Sequence, residues 1–172
     1  ALLDHLTRGR VMLGLGPGAL APDAAMIGIS PHEQRDALDL DTEVLMHLMT
    51  SDEPISIETA RYKLVDARLQ LDFYQDPHPE VVAAAVVSPS GPRLAGKHGL
   101  GLISIGATMK AGVDVLGMHW DVVEQRAREF GKVADRDRWR VVGLMHLADT
   151  KDQALADVRY GIREFCDYLQ HT

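Results

Sequence analysis

Two short segments carry residue types and spacings suited to gripping a ligand. Gly14-Leu15-Gly16-Pro17-Gly18-Ala19 follows an apolar run and formally matches G-x-G-x-x-[GA], where glycines let backbone approach a ligand closely. A dinucleotide fingerprint needs a helix that begins at once, so that its free amides meet the pyrophosphate, and an acidic residue at the end of the next strand. Pro17 and Pro22 are expected to interrupt such a helix, and the next strand-like run lies far downstream, which disfavours the dinucleotide reading. Two readings are left: a strand end packed against a ligand ring, or a tight turn that requires glycine. The second segment, Ser88-Pro89-Ser90-Gly91-Pro92, stands between the most apolar run and a short helix. Hydroxyls beside unpaired helix-terminal amides attract an anion such as phosphate; the competing reading is an ordinary N-cap at Ser90. Arg93 faces either solvent or that anion.

The other reactive side chains form no convincing constellation. None of the eight histidines has ligand spacing: His32-Glu33 is not followed by a second histidine, and His119 with Asp121 lacks a third partner, so no metal is expected. His146 is read within a strand, packed in a core or pointing into a barrel. Cys166 is expected to pack on the apolar face of the last helix.

The elements that must position these segments are strands and helices in alternation. Arg10 to Leu15, Val81 to Val87, Leu100 to Ile105 and Trp139 to Ala148 are strand-length apolar runs without alternation, as expected of parallel strands covered on both faces. Ser30-Pro31-His32-Glu33 reads as a capping box opening a helix to about Thr50, with Leu38, Val44, Leu45, Leu48 and Met49 as its stripe. Pro92 to His98 is a shorter helix closed by Gly99, and another runs near Met118 to Phe130. Thr150-Lys151-Asp152-Gln153 caps a last helix carrying Leu155, Val158, Ile162, Phe165 and Leu169 inward. The excursion 51–79 is a surface insertion whose segments Ile55 to Ile57 and Tyr62 to Leu64 pair as a small hairpin. Repeated βαβ units leave two architectures, a doubly wound sheet or part of a TIM barrel. A whole barrel takes about 250 residues.

Composition bounds the partners. With 172 residues, 46% of them hydrophobic, the chain suffices for one domain. A net charge of -7 with scattered Lys and Arg argues against nucleic acid. No apolar run approaches the roughly 20 residues of a membrane span, and a single cysteine fits a cytoplasmic setting. Ala1 in place of an initiator Met, and a helix-like ending at Leu2 to Leu6, suggest an interior excerpt of a longer enzyme.

Leu3-Asp4-His5-Leu6-Thr7-Arg8-Gly9-Arg10, the run to Gly18, Asp23 to Gly28, and Ser88 to Gly101 together resemble, in order and spacing, the bacterial-luciferase-like flavin monooxygenases. Ser88 to Gly96 and Leu102 to Thr108 look most like the limonene-type subgroup. The resemblance implies a TIM (β/α)8-barrel fold of which about four consecutive βα units are present. It implies that Ser88, Ser90 and Gly91 hold the phosphate of FMN and that Gly16 and Pro17 line the flavin cavity. Luciferases carry Cys-Arg where Gly16-Pro17 stand, so a phosphate-neutralising arginine is missing there, and flavin binding is expected to be looser or to use Arg93. The activity implied is monooxygenation of a small hydrophobic substrate with dioxygen and reduced FMN, supplied by a separate flavin reductase. Catalytic residues stay unassigned, because the family's first strands are not represented. The alternatives are a deazaflavin-dependent oxidoreductase of the same barrel, or a non-catalytic flavin-binding half barrel whose open edges would require a homo-oligomer.

Overall fold

The computed structural model describes residues 1–18 and 20–171, without the side chains of residues 31, 32 and 169–171. Ala19 of the glycine-rich segment and the inward placement expected of Leu169 therefore lie outside the described residues.

Helix α1 (Leu2–Thr7) leads into strand β1 (Met12–Leu15), followed by α2 (Ala21–Met26) and α3 (Pro31–Thr50). Pro22 stands in the first turn of α2 rather than interrupting a helix, because a first-turn residue has no amide bond to lose. The α3 stripe ends at Thr50 as its periodicity implies, but the capping box does not form. The Glu33 amide that Ser30 Oγ should receive is taken at 3.0 Å by the Ser30 carbonyl, and Ser30 makes no side-chain cap. Strands β2 (Ile55–Glu58) and β3 (Lys63–Ala67) pair antiparallel as the expected hairpin. Then come β4 (Glu80–Ala85), α4 (Ser90–His98), β5 (Gly101–Ile105), α5 (Lys110–Asp114), α6 (Leu116–Glu129) and β6 (Trp139–Val142). The single last helix expected from Thr150 is two, α7 (Lys151–Val158) and α8 (Ile162–His171), divided at Gly161, a residue that lowers helix stability. Thr150 does cap α7, accepting the Gln153 amide at 3.2 Å.

Strands β1, β4, β5 and β6 form one parallel sheet in that order. A doubly wound sheet reverses its strand order at a switch point; here each strand joins the outer edge of the last, which is the βα repeat of a TIM barrel. Among the described residues the sheet is a partial barrel of four strands, not a closed one. Val81, Ala83, Ala85 and Leu102 turn toward α4 and α6, meeting Leu94, Ala95, Trp120 and Val123 in the core. Full coverage holds for the central strand, where Val81, Val82 and Ala83 are fully buried. The edge strands differ: β1 alternates between exposed and half-buried, and Val141 and Val142 of β6 are exposed.

At the N-terminal end of the sheet, Glu80 accepts Arg140 at 2.9 and 2.7 Å and Arg138 at 3.3 Å, joining β4 to β6 across β5. Burial pushes the Glu80 carboxyl up, but the hydrogen bonds and charges of Arg140 and Arg138 outweigh it and hold its pKa below the usual value. A lowered folded pKa gives stability that is present above the unfolded carboxylate pKa of about 4.3 and is lost as pH falls through the folded value. Glu80→Gln is expected to lower stability by about 1 kcal/mol at neutral pH, since both partners are partly exposed. In thermal melts the gap between wild type and variant should close between about pH 5 and about pH 3; a gap independent of pH refutes the ionic origin.

Candidate functional site

Parallel pairing sets Leu15 of β1 level with Ala83 of β4, and Ala85 of β4 level with Ser104 of β5. The segments following the three strands therefore emerge together at the C-terminal rim. They enclose a cavity of about 430 Å3 lined by Gly16, Pro17, Gly18, Arg35, Ala84 to Ser88, Ser90 and Ile105. Four of the five residues singled out from sequence, Gly16, Pro17, Ser88 and Ser90, thus meet around one space, at the rim where barrel folds assemble their sites.

Gly91 is placed differently. It is buried at the start of α4, and a Cβ there would lie 2.2 Å from the Ala84 carbonyl oxygen, so the missing side chain lets α4 approach β4, and what Gly91 can offer a ligand is its backbone amide. Nor is Ser90 the N-cap: it is the first residue of α4, and Ser88 Oγ accepts its amide at 3.3 Å while donating to Ser90 Oγ at 3.1 Å. Two hydroxyls and a helix N-terminus consequently sit at one corner of the cavity. Such amides and the helix dipole favour negative charge.

The cation near that corner is Arg35, from α3, which sequence reasoning missed. Arg93 lies one cleft away, with Leu38, Asp39, Lys97 and Arg126, in a space of about 210 Å3 that shares Arg35 and Ser90 with the first. The signal for Arg35 was its place in the opening turns of a helix, where the dipole disfavours a cation. His119 was also passed over; it is fully buried on α6, 3.4 Å from the Val87 carbonyl. The cavity fits a phosphorylated ring system: hydroxyls, amides and Arg35 for the phosphate, and Ala84, Val86, Val87 and Ile105 for an apolar ring.

Other expectations fail. His146 lies past the end of β6 and is exposed, its Nε2 3.0 Å from Asp157 Oδ2, because β6 stops at Val142. Cys166 is exposed rather than packed. Among the described residues no group of three or more His, Cys, Asp and Glu could hold a metal, and no helix is long and apolar enough to cross a membrane. A larger cleft of about 620 Å3, between the end of α3 and residues 68–77, lies beside the N-terminal end of β4, away from the rim.

Known proteins resemble this chain in sequence and in fold. The chain is 42% identical over 170 residues to limonene 1,2-monooxygenase of Rhodococcus erythropolis, covering 99% of this chain and 43% of that protein. Among solved structures, the oxygenating constituent of 3,6-diketocamphane monooxygenase from Pseudomonas putida, in complex with FMN, matches with a TM-score of 0.72 and 26% identity, over 95% of this chain and 48% of that one. An F420-dependent secondary alcohol dehydrogenase shares the fold at a TM-score of 0.66 and 22% identity, over 92% of this chain and 47% of that one. The chain thus spans less than half the length of these relatives. The luciferase-like monooxygenase family model matches residues 1–171, and the chain belongs to that family.

Proposed function

We propose that the intact protein is a flavin-dependent monooxygenase and that this chain supplies its FMN site. The observation that carries the reading is the convergence of Gly16, Pro17, Ser88 and Ser90 on one cavity at the C-terminal rim, although the two segments lie some seventy residues apart. Ser88, Ser90, the Gly91 amide in the first turn of α4 and Arg35 would hold the phosphate, and Gly16 and Pro17 would leave room for the ring. Bound reduced FMN, delivered by a flavin reductase, supplies the electrons that activate dioxygen. The chain's own part is to bind, to orient and to exclude water. Beside the cavity, and sharing Ile105 with it, Met109, Val142, Leu144 and Phe165 line an almost wholly apolar pocket of about 230 Å3. That neighbour suits a small hydrophobic substrate set against the flavin.

Titration of the intact protein with FMN, followed by flavin fluorescence, tests this directly. Tight uptake is expected, and the double variant Ser88→Ala with Ser90→Ala should weaken it by about 10- to 100-fold, the worth of hydrogen bonds to a charged group. Riboflavin, which lacks the phosphate, should be indifferent to the change. Failure to bind FMN, with uptake of a deazaflavin instead, would move the protein to the alcohol-dehydrogenase side of the fold. FMN uptake without oxygenation of any hydrophobic substrate in the presence of a reductase would mark a binder.

A further inference from the structure

Ser104 and His119 are buried polar side chains behind the sheet, and the cavity chemistry above uses neither. Their hydrogen bonds nevertheless run in one direction. Trp139 Nε1–H can only donate, so Ser104 Oγ, 3.0 Å away, accepts from it. The Val87 carbonyl, 3.4 Å from His119 Nε2, can only accept, so that ring nitrogen carries the proton. Burial holds His119 below the usual histidine range despite the Val87 contact, which keeps the ring neutral. Nδ1 is then bare and accepts a hydrogen bond from the Ser104 hydroxyl at 3.1 Å. The far end of the chain is firmly set. Trp139 stacks on Trp120 with ring centroids 5.3 Å apart, and the Arg136 guanidinium lies 5.3 and 5.5 Å from the two rings. The near end is the backbone just before Ser88, in a turn whose own bonds are those between Ser88 and Ser90.

We infer that His119 is a positioning residue: its Nε2–H holds the Val87 carbonyl, and with it the turn that presents Ser88 and Ser90 to the phosphate. The inference rests on the reading of those two serines as phosphate ligands. It explains why a histidine occupies the apolar face of α6, next to Trp120 and Val123.

The test is the ratio of FMN to riboflavin affinity in the intact protein. His119→Phe keeps ring volume but removes both polar ends, and should lower the ratio about tenfold. His119→Gln, which can return an N–H toward Val87, should restore it to within about threefold of wild type. Ser104→Ala, which frees the imidazole from its orienting partner, should lower the ratio about threefold and serves if the phenylalanine variant does not fold. Variants that melt earlier while keeping the wild-type ratio would show a merely structural histidine and overturn the inference. A wild type that binds riboflavin as tightly as FMN would instead sink the phosphate reading beneath it.

Discussion

Gly91→Ala is expected to lower stability by about 3 kcal/mol, because one methyl group would be driven into main chain that has nowhere to move. Its Cβ would stand 2.2 Å from the Ala84 carbonyl oxygen, 2.9 Å from the carbonyl carbon and 3.0 Å from the Ala85 Cβ. Flexible side chains could swing aside; these atoms belong to β4, the strand buried between β1 and β5. The relief available is for α4 to lift from the sheet, which loosens Leu94 and Ala95 against the core. For a domain of this size the loss corresponds to a fall of roughly 6 to 12 °C in Tm. Lifting α4 also carries the Ser90 hydroxyl and the helix amides away from Ser88, so FMN affinity should fall with stability. Thermal melts of Gly91→Ala with and without FMN read both effects. An unchanged Tm would mean that α4 does not approach β4 this closely.

What could be read from the sequence follows from where each signal originates. The central strands were legible because both faces of Val81 to Ala83 and much of Gly101 to Ser104 are covered, leaving unbroken apolar runs. Gly99 marked the end of α4 because the chain there takes φ 68°, which glycine adopts without strain. The edge strands misled: Val11 to Leu15 is apolar, yet among the described residues β1 has a neighbour on one side alone, and Met12 is 42% exposed. Nothing local announced α5, whose Lys110-Ala111-Gly112-Val113-Asp114 has no apolar stripe and is held by the amide of Gly112 on the Met109 carbonyl. In the site, the glycine and serine segments were legible as motifs, since their chemistry is contained in a few consecutive residues. Arg35 and His119 were not, because each meets its partners far away in sequence: Arg35 lines the same cavity as Ser88 and Ser90, and His119 reaches Val87, 32 positions earlier. Only the parallel register of β1, β4 and β5 brings those partners together.

Gly16→Leu should do the opposite of the change at Gly91, destroying binding while leaving the fold intact. A Cβ at Gly16 meets a single neighbour, the Ala84 Cβ at 3.7 Å, an ordinary contact, and the residue is exposed with backbone outside the left-handed region. A leucine side chain can therefore be carried without strain, but it would grow into the cavity where Pro17, Ala84 and Ile105 would bound the flavin ring. Overfilling a well-shaped site costs about 1 to 3 kcal/mol, so FMN affinity should fall by up to about 100-fold while Tm without ligand stays within about 1 °C. Riboflavin should suffer as much as FMN, because the obstruction meets the ring and not the phosphate. That equal loss separates Gly16→Leu from the serine and histidine variants, whose damage is confined to the phosphorylated ligand. If Gly16→Leu left both affinities unchanged, the ring would have to lie elsewhere along the rim, and the shared cavity would no longer be a reason to join the two motifs in one site.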